Sequence, residues 1–133
     1  MTEEKQTSVL LLEDDVLIAL DLQHILENAG YRVIGPAFST ATALALIENE
    51  TPALALLDAN LGRTNSFELA DILVARNAKV IFVTGHSRGW ISEAHRHRRI
   101  IEKPFLPSDV LAAVENELNS LKCGDALNPA CAA

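Results

Sequence analysis

The chain has 133 residues, 49% of them apolar, and a net charge of -7, which fits one domain with a full core and leaves no room for a second folded unit. The negative charge argues against nonspecific nucleic-acid binding, because no large basic surface would offset phosphate repulsion. No apolar stretch reaches the ~20 residues needed to span a membrane, and Met-Thr-Glu-Glu-Lys at the start lacks the order of a signal peptide, so a cytoplasmic protein with no membrane partner is expected.

Residues 1–7 are polar and expected to fray. Val9–Leu12 reads as a first strand, followed at once by Glu13-Asp14-Asp15. Ile18, Leu22, Ile25, Leu26 and Ala29 then recur at helical spacing, and Gly30 is a stop signal, which places the acids in a strand-to-helix turn. Tyr31–Ile34 reads as a second strand ended by Gly35-Pro36. Ser39 or Thr40 can cap a second helix whose buried face includes Ala43, Leu44 and Ile47. Leu54–Leu57 is a continuous apolar run, suited to a strand covered on both faces, and it delivers Asp58 to its end.

After a loop at 60–65, Ser66 is placed to cap a third helix through Phe67, Ala70, Leu73 and Val74, fading at Asn77. Val80–Val83 is a fourth strand ending at Thr84-Gly85. Residues 85–99 carry two glycines and little periodicity, which predicts a loop with a short helix near Ser92–Arg96. The basic run from His95 to Arg99 reads as a solvated helix face or turn. Ile100-Ile101 is a brief fifth strand before Glu102-Lys103-Pro104. Ser108 can cap a last helix with the stripe Leu111, Val114, Leu118 and Leu121, ended by Gly124. Cys123 and Cys131 lie in the tail without a metal-ligand doublet or disulfide framework.

Five strands alternating with five helices imply a parallel sheet with right-handed crossovers and helices on both faces. In such a fold the ligand crevice lies beyond the carboxyl ends of the strands, and Glu13, Asp14, Asp58, Thr84 and Lys103 all fall on that rim. Converging carboxylates repel each other unless a cation sits among them. Oxygen ligands without His or Cys favour Mg²⁺, with Asp14 as the main ligand, Glu13 ancillary and the Asn60 carbonyl a third. Asp58 is then placed to act as a nucleophile toward a phosphoryl group. Lys103 would share the charge of the transferring oxygens, and the Thr84 hydroxyl would hydrogen-bond one of them. Taken singly, each residue has a plainer role, such as a cap, an acidic first turn or a surface turn.

Four motifs carry a resemblance over Ser8 to Leu121: Val-Leu-Leu-Leu-Glu13-Asp14-Asp15, Leu-Leu-Asp58-Ala-Asn60-Leu, Phe-Val-Thr84-Gly85 and Glu-Lys103-Pro104-Phe105. In this order they resemble the receiver domain of two-component response regulators. The resemblance implies a flavodoxin-like doubly wound sheet of five strands in the order 2-1-3-4-5, with residues 8–122 as the domain and flexible termini at 1–7 and 123–133. It implies that Asp58 is phosphorylated by a sensor histidine kinase or a histidine phosphotransfer protein. Mg²⁺ would be held by Glu13, Asp14, Asp58 and Asn60, and Thr84 and Lys103 would bind the phosphoryl group. The Lys103-Pro104 bond would be cis, and Asn60 and His86 would flank the path of a hydrolytic water. The chain resembles stand-alone regulators without an output domain, which signal by protein contact, with homodimers among the options, or by phosphorelay. Such modules are not enzymes beyond their own phosphorylation and dephosphorylation.

Two features depart from the family pattern. The family commonly carries Tyr or Phe three residues before the lysine, and Ile100 stands there. The stretch between Thr84 and Lys103 is short and glycine-bearing, which predicts a reshaped partner surface; Trp90 within it is expected to report phosphorylation by its fluorescence. A pseudo-receiver that binds its partner regardless of phosphate keeps the fold without the switch. An aspartate-dependent phosphatase usually needs a second Asp two residues after the nucleophile, where Asn60 stands. Nucleotide or flavin binding is weaker still, since acids replace glycines after the first strand.

Overall fold

The computed structural model describes residues 6–61, 64–85, 91, 95 and 97–123. Along the chain these form β1 (Ser8–Leu12), α1 (Val16–Asn28), β2 (Arg32–Ala37), α2 (Thr40–Leu46), β3 (Leu54–Asp58), β4 (Asn60–Leu61), β5 (Thr64–Asn65), α3 (Phe67–Ala75), β6 (Lys79–Thr84), β7 (Arg99–Glu102) and α4 (Pro107–Cys123). Five strands make one parallel sheet in the order β2-β1-β3-β6-β7, the expected 2-1-3-4-5 when its strands are counted along the chain. The loop expected at 60–65 instead holds a small antiparallel ribbon, in which Asn60 faces Asn65 and Leu61 faces Thr64.

Alternation along the strands divides the core between two faces. Leu10, Leu12, Ala55, Leu57 and Phe82 pack with Ala43 of α2 and with Leu69, Ala70 and Leu73 of α3. Val9, Leu11, Leu54, Leu56, Ile81 and Val83 pack on the other face with Leu22, Ile25 and Leu26 of α1 and with Val110 and Val114 of α4. All five residues of β3 are buried because the strand sits mid-sheet with helices over both faces. Burying each such leucine contributes about 1.5–3 kcal/mol, so this strand holds Asp58 on a well-packed support.

Local chemistry moves several boundaries from their expected places. Ser39 caps α2, accepting from Thr42 N at 3.2 Å, but Leu44 is exposed, because only about one face of so short a helix can meet the sheet. β2 does not stop before Gly35-Pro36; it runs through them to Ala37. α4 is not capped by Ser108. Pro107 suits the first helical position because it has no N–H to satisfy there, and Asp109 accepts from the Leu106 N–H at 3.0 Å. At the end of α3, Asn77 takes a left-handed conformation at φ 70°, and Ala78 N donates to Leu73 O at 2.9 Å.

Most of the predicted short helix at 92–96 lies outside the described residues, as do Trp90, Gly124, Cys131 and the Leu121 side chain. His95 is described, and it corrects the reading of the basic run as solvated: its ring is 3% exposed, and Phe67 stacks on it. Arg99, by contrast, pairs with Glu117 at 3.0 Å on the outside of α4.

Candidate functional site

At the carboxyl edge of the sheet, one backbone hydrogen bond ties each site-bearing segment to the neighbouring strand. Glu13 N donates to Ala37 O at 3.0 Å, Ala59 N to Val83 O at 3.0 Å, and Lys103 N to Thr84 O at 2.8 Å. The parallel ladder thus continues past the strand ends and brings the predicted residues together. Carboxylate oxygens of Glu13, Asp14 and Asp58 all lie within 4.8 Å of one another. Lys103 Nζ stands 3.0 Å from Glu13 Oε1 and 3.5 Å from Asp58 Oδ2. Thr84 is buried at the end of β6. Asn60 reaches the cluster through its backbone N–H, which donates to Asp58 Oδ1 at 3.1 Å. The Lys103-Pro104 bond is cis. His86 lies outside the described residues.

The electrostatic balance of this cluster is uneven. Glu13 and Asp58 are 1% and 4% exposed, and one lysine serves both. Burial first, and then the hydrogen bond and charge of Glu13, push the Asp58 carboxyl from 3.8 up to about 7, against the Asn60 N–H and Lys103. Burial works against the Lys103 ammonium, but Glu13 and Asp58 outweigh it and hold its pKa above the usual lysine value. Glu13 Oε2 accepts from Asp15 N at 3.1 Å. Glu13 Oε1 is buried without a hydrogen bond of good geometry, and the Lys103 ammonium lies 3.0 Å from it. Three carboxylates, one of them with an unsatisfied oxygen, form a donor set that fits a small, hard dication.

Three acids in a row turn out to have two different roles. Asp15 is the N-cap of α1, its Oδ1 accepting from Leu17 N at 3.0 Å and Ile18 N at 3.3 Å, so only Glu13 and Asp14 belong to the cluster. Ser66 does not cap α3 with its side chain. It donates to the Asp58 carbonyl at 2.8 Å and thereby fixes the backbone of the central acid. No sequence signal separates accepting from a helix N–H, as a cap would, from donating to a distant carbonyl, because the second partner is brought near only by the tertiary fold. Val16, Leu17 and Leu20 of α1 and Leu106 before α4 are exposed, with Leu17 at 79%. They follow closely in sequence on Asp15 and Lys103. For the three in α1 the signal was legible in principle: Val16, Leu17 and Leu20 fall outside its buried stripe of Ala19, Leu22, Ile25 and Leu26.

The family model of the response regulator receiver domain matches residues 9–115. The phyllosphere-induced regulator PhyR of Methylorubrum extorquens is 31% identical over 122 residues, covering 89% of this chain and 46% of PhyR. The transcriptional regulatory protein PdtaR of Mycobacterium tuberculosis is 32% identical over 111 residues, 80% of this chain and 54% of PdtaR. This chain therefore spans about half the length of these curated relatives. Among solved structures, SdrG from Sphingomonas melonis Fr1 is 33% identical with a TM-score of 0.73, covering 88% of this chain and 97% of SdrG. A CheY-like receiver domain protein from Methanospirillum hungatei JF-1 is 29% identical with a TM-score of 0.77, covering 89% of this chain and 98% of its own. With the four motifs in order on one sheet edge and the family model matched from Val9 to Glu115, the chain belongs to the response regulator receiver domain family.

Proposed function

We propose that Asp58 accepts a phosphoryl group from a phosphohistidine of a sensor kinase or phosphotransfer protein, and that the modified chain signals through protein contact or onward relay. The observation that carries this reading is the gathering of Asp58 with Glu13, Asp14 and Lys103 at one strand edge, where a buried Glu13 oxygen faces the Lys103 ammonium without a hydrogen bond of good geometry. In the transfer, a carboxylate oxygen of Asp58 attacks phosphorus while the bond from phosphorus to the donor imidazole nitrogen breaks. The electron pair of that bond returns to the ring, leaving an acyl phosphate on Asp58.

Glu13, Asp14 and Asp58 are the side chains that would hold Mg²⁺, with the backbone carbonyl of Asn60, two residues after Asp58, as a further ligand. Bound there, Mg²⁺ supplies positive charge that offsets the carboxylates and the charge spread over the transferring oxygens. Lys103, within reach of both Asp58 and Glu13, contributes a second positive charge from the protein itself. Thr84, buried at the end of the adjacent strand, would donate its hydroxyl to a phosphoryl oxygen. The exposed side chains Val16, Leu17, Leu20 and Leu106 are the surface on which the apolar face of a donor helix would rest.

The test is labelling by a phosphohistidine donor in the presence of Mg²⁺. Wild-type protein is expected to take up one acid-stable, base-labile phosphoryl group, and Asp58→Asn none. Label retained by Asp58→Asn would remove Asp58 as the acceptor and leave a binding module in place of a switch.

A further inference from the structure

Glu13 is central to the acidic cluster, yet it lies just past the end of β1, where nothing in β1 itself holds it. Its backbone is held from the edge strand. Pairing runs Val9 with Val33 and Leu10 with Ile34, then resumes at Leu12 with Ala37, so β2 spends one residue more than β1 across this interval. The extra residue forms a bulge at Gly35-Pro36 opposite Leu11. Pro36 brings no N–H to the interruption and leaves no donor orphaned there. Beyond the bulge, the Ala37 carbonyl meets the Glu13 N–H at 3.0 Å.

Only glycine fits the turning point. Gly35 has φ of 108°, and a Cβ there would stand 2.7 Å from Ala37 N and 3.1 Å from Leu11 O, both of them backbone atoms. A side chain would therefore displace Ala37, the residue whose carbonyl anchors Glu13. The other anchors at this edge, Val83 O and Thr84 O, belong to β6 and lie deeper in the sheet.

Resting on the reading of Glu13 as a metal ligand, we propose that Gly35 is a positioning residue for the cation site, acting through the Ala37 carbonyl on the Glu13 carboxylate. The bulge sets the depth at which Glu13 leaves the sheet edge, and so how its carboxylate meets those of Asp14 and Asp58. Metal affinity should therefore depend on a residue of the edge strand that contributes no ligand atom.

The experiment is calorimetric titration of Mg²⁺ into the full chain, wild type against Gly35→Ala, Glu13→Gln and the double variant. Groups that orient a metal ligand commonly cost about tenfold in affinity when disturbed, and that is the weakening expected of Gly35→Ala. The double variant should bind no more weakly than Glu13→Gln alone, because the two changes act on one contact. Losses that simply multiply would show Gly35 acting elsewhere and overturn the proposal. If Glu13→Gln weakens binding and Gly35→Ala does not, this inference falls while the metal site stands; if Glu13→Gln has no effect, both fall. Should Gly35→Ala fail to fold, amide exchange in the wild type decides. The Glu13 N–H should be protected like a strand amide and gain further protection with Mg²⁺, and exchange at the rate of an open turn would overturn the proposal.

Discussion

His95 and Asp58 are both buried polar side chains, 3% and 4% exposed, each beside charges of both signs, and the fold treats them in opposite ways. His95 is complete. Its Nε2 lies 2.8 Å from Asp71 Oδ1, its Nδ1 accepts from Arg98 Nε at 3.0 Å, and its ring sits against Phe67 and Phe82 with centroids at 5.9 and 5.5 Å. Because Arg98 donates to Nδ1, the ring proton belongs on Nε2 facing Asp71. Asp71 itself is largely in water, so its charge is solvated there. The Asp58 cluster is less complete: among the described residues Glu13 and Asp58 share one lysine, Asp14 stands beside them, and a Glu13 oxygen has no hydrogen bond of good geometry. Where the described residues supply every partner, buried polarity ties segments together; where they leave a carboxylate oxygen without a well-formed hydrogen bond, the cluster keeps donor capacity for a cation.

The comparison predicts different consequences for removing a cation and removing an imidazole. Lys103→Ala removes the one ammonium that, among the described residues, pairs with Glu13 and Asp58. Its rate of labelling should fall about 100-fold, as when a donor to a developing charge is lost, and stopped-time labelling against a small phosphoryl donor measures it. His95→Ala should leave the extent of labelling intact and cost about 2–3 kcal/mol of stability in urea unfolding, through lost ring packing and two broken hydrogen bonds. If His95→Ala also abolished labelling at full folding, the division between a structural and a chemical cluster would fail.

A milder probe works from the surface. Leu17→Asp puts a charge on the exposed turn of α1 without touching the carboxylates, and should slow labelling by a protein donor about tenfold. Labelling by a small donor should not change. Equal rates with both donors would show that the apolar rim takes no part in docking.

Proton uptake sharpens the contrast further. Folding raises the Asp58 carboxyl from 3.8 to about 7, so between those values the folded protein holds a proton that the unfolded chain has released. Stability of the metal-free protein should therefore fall as pH rises across that window and level off above it. Melting temperatures at successive pH values, with Mg²⁺ chelated, test the sign. Asp58→Asn should lose this component of the decline, and in the wild type added Mg²⁺ should reduce it by taking the place of the proton.

The sheet and the membership of the acidic cluster were legible because they depend on near neighbours in the chain. A continuous apolar run ending in Asp58, an apolar run ending in Glu13-Asp14 and another ending in Thr84 each declare a buried strand and what it carries at its end. Parallel pairing then forces those ends to one edge, so the chemistry follows from order alone. Ser66, His95 and Gly35 were not legible in the same way. A serine before a helix looks like a cap until the Asp58 carbonyl is seen closer to it. A histidine in a basic run looks solvated until Phe67 and Phe82 are found around it. Gly35-Pro36 looks like the end of a strand until the extra residue proves to carry Ala37 into line with Glu13. Periodicity reports which face a residue occupies, whereas a hydrogen-bond partner from a distant element is chosen only when packing has set the two backbones at one height.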